Sequence, residues 1–89
     1  MKIILELFGA SRDFSNKDYL QFEIKEVIEI KDLKKVIISY LDKNFNGNKN
    51  FKKIVEASVF CSEDNNIIND NFKIIKDQKI GIIPPIGGG

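Results

Sequence analysis

An 89-residue chain with 43% hydrophobic and 30% charged residues is one small globular domain, too small to enclose a deep internal active site. Its 14 basic and 13 acidic residues leave a formal charge of +1, so composition asks for neither nucleic acid nor an anionic membrane as partner. No run approaches the ~20 apolar residues that span a bilayer, and Glu6 interrupts the opening too early for a signal-peptide core. A single cysteine, Cys61, excludes an internal disulfide and every multi-cysteine zinc pattern. The expected location is cytoplasmic.

Residues 2–8, KIILELF, predict a strand, followed by a turn over 9–13 and a loop over 14–18. A second strand is expected over about 18–25. There Tyr19, Gln21, Glu23 and Lys25 face one way, and Leu20, Phe22 and Ile24 face the core. The period then changes. Ile30, Leu33, Val36, Ile37, Tyr40 and Leu41 take helical spacing, and the turn cluster Asn46-Gly47-Asn48 stops the helix near Asn44. Residues 51–55 predict one short helical turn. Strands follow over about 57–62 and at Ile67-Ile68, separated by a turn at 63–66. The last strand covers 79–83 and stops at Pro84, which has no N–H for a ladder.

The order β-β-α-β-β-β describes an α+β fold. A mixed sheet of four or five strands carries one main helix, roughly fourteen residues or about 21 Å long, on one face. This is the β-grasp arrangement, with residues 1–83 as the domain and 84–89 as a tail. A single main helix leaves the second face of the sheet open. An apolar patch there, with Ile83 beside Ile67 or Ile68, suggests a binding surface, although core packing explains these isoleucines equally well.

The tail reads Pro84-Pro85-Ile86-Gly87-Gly88-Gly89. Two prolines favour an extended stem, and glycines carry no Cβ to collide with the walls of a narrow channel. Six residues reach about 20 Å at ~3.3 Å each. A terminal carboxylate is a poor electrophile until activated. The chain has no histidine, no GxxxxGK[ST] loop and no metal-ligand cluster, so activation would fall to a separate ATP-using enzyme. The plainer alternative is a glycine-rich end without function. Cys61 reads as a small core hydrophobe, with no His or Lys beside it in sequence to activate the thiol. The clusters Lys31/Lys34/Lys35 and Lys49/Lys52/Lys53 read as solvated faces.

The segments LFGASRD, IEIKDLKKVI and IKDQKIGIIPP, together with the closing glycines, resemble the small subunit of molybdopterin synthase, a ubiquitin-like sulfur carrier. Three places depart from that pattern: Asp77-Gln78-Lys79 replaces the usual Gly-Asp-Glu turn, Glu29 stands where the helix start usually has threonine, and the segment Glu63–Asn71 is longer than usual. The resemblance implies that a ubiquitin-activating-like adenylyltransferase adenylates Gly89, and that a sulfurtransferase supplies the sulfur of a thiocarboxylate. The tail then enters the large synthase subunit, where the sulfur passes to precursor Z. It further implies a subunit that is inactive alone, binds no cofactor or metal, and leaves the use of ATP to its partner. It places Phe8, Arg12 and Ile83 at the partner interface, with Ile67 or Ile68 nearby. Three other readings stay open: a thiamine-pathway or other sulfur carrier, a modifier forming isopeptide bonds through Gly89, and a plain binding module.

Overall fold

The computed structural model describes residues 1–85. Its main sheet has five strands in the order β2-β1-β7-β4-β5, and a second, small sheet joins β3 to β6. The strands are β1 (Lys2–Leu7), β2 (Tyr19–Glu23), β3 (Ile28–Glu29), β4 (Val59–Cys61), β5 (Ile67–Ile68), β6 (Lys73–Ile74) and β7 (Gln78–Ile83). The helices are α1 (Ile30–Asn44) and α2 (Lys49–Ala57), and a 3-10 segment spans Gly9–Phe14. β1 and β7 run parallel at the centre, and every other pair in the main sheet is antiparallel.

Strand alternation builds the core. Ile3, Leu5 and Leu7 of β1, Leu20 and Phe22 of β2, Phe60 of β4, and Ile80 and Ile82 of β7 are buried on one face of the sheet. Register stacks Leu20, Leu5 and Ile80 side by side across three strands. From α1, Ile30, Leu33, Ile37 and Leu41 meet them at helical spacing. The β-grasp order expected from the sequence is the order found. No helix among the described residues is long and apolar enough to cross a membrane.

Glu29 makes no side-chain cap at the start of α1. The loop before β6 serves instead: the N–H groups of Ile30 and Lys31 donate to the carbonyls of Phe72 and Asp70, each at 3.0 Å. Backbone carbonyls thus satisfy donors that a threonine cap would otherwise take.

The structure corrects the expected elements in five places. Residues 9–14 wind into the 3-10 segment, so β1 ends at Leu7 and Phe8 lies outside it. β2 ends at Glu23, leaving Ile24 partly buried beyond its end. The short β3–β6 pair was not expected at all. Residues 51–55 belong to a nine-residue helix rather than a single turn. Asn48 starts that helix early, because its Oδ1 accepts from the N–H groups of Asn50 (2.9 Å) and Phe51 (3.4 Å). α2 continues through Ala57, so β4 begins only at Val59. An aromatic chain anchors it to the 3-10 segment. Phe14 and Phe51 lie 5.0 Å apart, and Phe51 and Phe45 4.9 Å apart.

Candidate functional site

The chain leaves the sheet at the end of β7, where Ile83 is half-buried, Pro84 buried and Pro85 exposed. Ile86, Gly87, Gly88 and Gly89 lie outside the described residues. The base of the tail sits in a notch between the 3-10 segment and α2, lined by Ala10, Lys53, Ile54, Ala57 and the two prolines. Gly9 makes the turn that forms one wall. Its φ of +56° favours glycine, and a Cβ placed on it would lie 3.9 Å from Pro84 Cδ.

Phe8 is held just before that turn by a reciprocal pair of hydrogen bonds. The Phe8 N–H donates to Ser11 Oγ at 2.9 Å, and the Ser11 hydroxyl donates to the Phe8 carbonyl at 2.7 Å. Ser11 is fully buried, so this polar side chain is satisfied where it stands. The effect is to fix the backbone that presents the Phe8 ring.

That ring lies on the open face of the sheet, opposite α1. Alternation places Lys79, Gly81 and Ile83 of β7 on this face. Register sets Val59 opposite Ile83, Cys61 opposite Gly81, and Ile67 opposite Cys61. Phe8 (40% exposed), Val59 (47%) and Ile67 (65%) are three of the large apolar side chains that the domain leaves in solvent. Gathered around half-buried Ile83, they form an apolar patch at the tail's base, and such patches mark contact surfaces. Toward the sheet interior the patch gives way to Glu6, Glu63 and Lys79, whose N–H donates to Glu63 Oε1 at 2.7 Å.

Gly81 leaves room for the Phe8 ring against β7. A Cβ at this position would fall 2.7 Å from Cys61 Sγ and 3.1 Å from Phe8 Cε2. Both atoms belong to side chains that can rotate. Gly81→Ala is therefore expected to displace Phe8 and Cys61 rather than unfold the strand. Overpacking of this kind costs about 1–3 kcal/mol. Trimming the neighbour should recover part of it, so the double variant Cys61→Ala/Gly81→Ala should show a coupling of about 0.5–3 kcal/mol in denaturant titrations. Strict additivity of the two single variants would refute the contact.

The site residues named from the sequence are thus partly united. Phe8, Ile67 and Ile83 share one face at the tail's base. Ile68 does not join them: it pairs with Phe60 and packs partly buried against the core, because adjacent strand residues point to opposite faces. Arg12 is exposed on the 3-10 segment and makes no ion pair among the described residues. It lines neither the tail notch nor the concavity beside Phe8. Sequence reasoning missed Val59 and the contribution of α2. The alternation of Val59 and Cys61 about Phe60 was a usable signal for the first; the polar run Lys49–Lys53 hid the second. Among the described residues no three His, Cys, Asp or Glu side chains converge as a metal-ligand set.

No protein-family model matches the chain, and no curated protein matches it in sequence. Solved structures do resemble it. A chain from Pyrococcus furiosus described as a molybdopterin converting factor, subunit 1, superposes with a TM-score of 0.69 at 19% identity, covering 96% of this chain and 98% of that one. SAMP1 from Haloferax volcanii superposes with a TM-score of 0.69 at 10% identity, covering 100% of both chains. At such identities the likeness speaks to architecture. The chain has the ubiquitin-like β-grasp fold that these two proteins share over their whole lengths.

Proposed function

We propose that the chain is a sulfur carrier of molybdopterin biosynthesis, acting as the small subunit of a molybdopterin synthase. The observation that carries this reading is a juxtaposition. The stem Pro84-Pro85, which leads into Ile86-Gly87-Gly88-Gly89, leaves the sheet beside the apolar patch of Phe8, Val59, Ile67 and Ile83. A partner that receives the tail must press against the surface from which the tail emerges. The β-grasp fold shared with a protein described as a molybdopterin converting factor subunit adds support.

In this reading the Gly89 carboxylate attacks the α-phosphate of ATP within an adenylyltransferase, and pyrophosphate leaves. A persulfide on a sulfurtransferase then displaces AMP to give an acyl disulfide, and a second thiol cleaves its S–S bond, leaving the thiocarboxylate on Gly89 and a disulfide on the donor. The large synthase subunit takes up the tail, and the thiocarboxylate sulfur passes to precursor Z. The domain's own part is to dock and to aim. Glycines supply a terminus without Cβ atoms, which fits a narrow channel, and the prolines hold the stem extended.

The intact mass decides the matter. After coexpression with the adenylyltransferase and a sulfur source, the chain should gain the difference between one sulfur and one oxygen. Higher-mass conjugates with other proteins would instead support a modifier working through isopeptide bonds, and an unchanged mass would overturn both.

The patch predicts a second outcome. Truncating a well-buried interface anchor costs ~2 kcal/mol or more, which is roughly thirtyfold in affinity. Ile83→Ala and Val59→Ala should therefore weaken binding to the large subunit in titration calorimetry without lowering the melting temperature by a comparable amount. Arg12→Ala tests the 3-10 segment separately. Unchanged affinity in both patch variants would place the interface elsewhere.

A further inference from the structure

One edge of the main sheet is unpaired and lies beside a groove of its own. β2 is the outermost strand on that side. Its inward hydrogen bonds are fixed from both ends: the Ile24 N–H donates to the Met1 carbonyl at 2.8 Å, and the Leu7 N–H donates to the Asp18 carbonyl at 2.9 Å. Antiparallel alternation then assigns Leu20 and Phe22 to the pairs that bond β1. Tyr19, Gln21 and Glu23 are left with their N–H and C=O groups pointing outward. The opposite edge, β5, is only two residues long, whereas β2 has five, with uniform register and no proline, lysine or bulge among them. Those are the devices by which exposed edges are usually blunted.

On the helix side of this edge, Phe22, Val36, Ser39 and Tyr40 line a largely apolar groove. The Phe22 and Tyr40 rings meet edge to face at 5.7 Å. Lys35 and Lys43 stand at its rim. Their neighbours on α1 are committed elsewhere, Lys34 to Asp70 at 2.7 Å and Lys31 to Glu29 at 3.4 Å. Lys35 has only the distant, half-exposed Asp32 at 3.7 Å. Lys43 has no carboxylate within ion-pairing distance among the described residues. The groove therefore couples a free hydrogen-bonding edge to an apolar floor and a cationic rim.

We propose that β2 is a strand-addition site for an extended peptide segment of a partner, apolar at its centre and acidic at its flanks. The segment pairs with the outward groups of Tyr19, Gln21 and Glu23. Every second side chain turns toward α1, so two aliphatic residues face the groove against Phe22 and Tyr40, and the Asp or Glu residues that bracket them meet Lys35 and Lys43. Main-chain bonds give affinity in such a mode, and the groove and rim give selectivity. β1 separates this edge from β7, so the site and the tail-side patch sit on different parts of the sheet. A partner could be held at β2 while the tail is engaged elsewhere.

The test uses the full chain, labelled with nitrogen-15, and a synthetic peptide, Asp-Glu-Val-Ile-Val-Leu-Glu-Asp, with a control whose four acidic residues are replaced by lysine. The acidic peptide should shift amides over residues 19–23 and 35–43, and should slow hydrogen exchange at Tyr19, Gln21 and Glu23. Gln21→Pro removes an outward donor that takes no part in the β1 ladder, and should weaken binding about fivefold or more. Lys35→Glu/Lys43→Glu leaves the ladder untouched, and should weaken the acidic peptide about tenfold while favouring the lysine control. The proposal is overturned by an absence of shifts, by shifts confined to the Phe8 and Val59 face, or by equal affinity for both peptides. It is also overturned if the amides of residues 19–23 move with protein concentration alone, since a second copy of the chain would then occupy the edge.

Discussion

Deleting Gly89, or adding one residue after it, is expected to reduce adenylation and thiocarboxylate formation to background while leaving the melting temperature unchanged. Among the described residues the last buried ones are Ile82 and Pro84, and Gly89 has no side chain to contribute to a core. The effect on reactivity should be large. One residue of extended chain is ~3.3 Å, and a misplacement of ~1 Å at a reacting centre can cost about a hundredfold. Pyrophosphate release in the presence of the partner adenylyltransferase measures the step directly. Wild-type rates in the shortened chain would show that Gly89 is not the reacting end.

Leu5→Ala is expected to have the opposite profile, with a large loss of stability and no specific effect on the tail. Leu5 is fully buried at the middle of β1, between Leu20 and Ile80 in register. α1 covers it from above. Removing a leucine side chain from such a site costs about 2–5 kcal/mol, because little can collapse into the space. For a domain of this size each kcal/mol is worth roughly 4–8 °C in melting temperature. Ile24→Ala is the informative comparison. Alternation places Ile24 on the core face, yet the structure leaves it partly buried past the end of β2, where its backbone pairs with Met1. It should cost clearly less than Leu5→Ala in denaturant titrations. Equal losses at the two positions would mean that the core extends further along β2 than the burial shows.

The sequence made the sheet and α1 readable because their hydrophobic periods are long enough to be unambiguous. Leu20 and Phe22 alternate with polar residues, and Leu33, Ile37 and Leu41 recur at helical spacing. What escaped were elements whose cause is not periodic. β3 and β6 have two residues each and exist because they pair with one another. α2 presents Phe51, Ile54 and Val55 among lysines and asparagines, and owes its start to the Asn48 side chain. The site was legible in the same proportion. Ile83 and Phe8 flank identifiable punctuation, proline after one and glycine after the other. The choice between Ile67 and Ile68 needed the register with Phe60 and Cys61, which no local pattern supplies. Val59 was legible from its alternation with Cys61 about Phe60, a signal that the sequence reading passed over.

Among the described residues β7 is the last strand in sequence and the middle strand of the main sheet. Until it is made, the β1–β2 hairpin and the β4–β5 hairpin have no edge in common. Closing the sheet joins groups as far apart as Lys2 and Asp77, 75 residues away in sequence. Contacts of that span form slowly, because loop closure must precede any gain from them. During synthesis the domain therefore waits on its own final strand, with two interior edges open to wrong partners. The same step that ends this exposure seats Pro84 beside Gly9. Folding and the seating of the tail's base become one event, so the surface around Pro84 exists only on molecules whose β7 has paired.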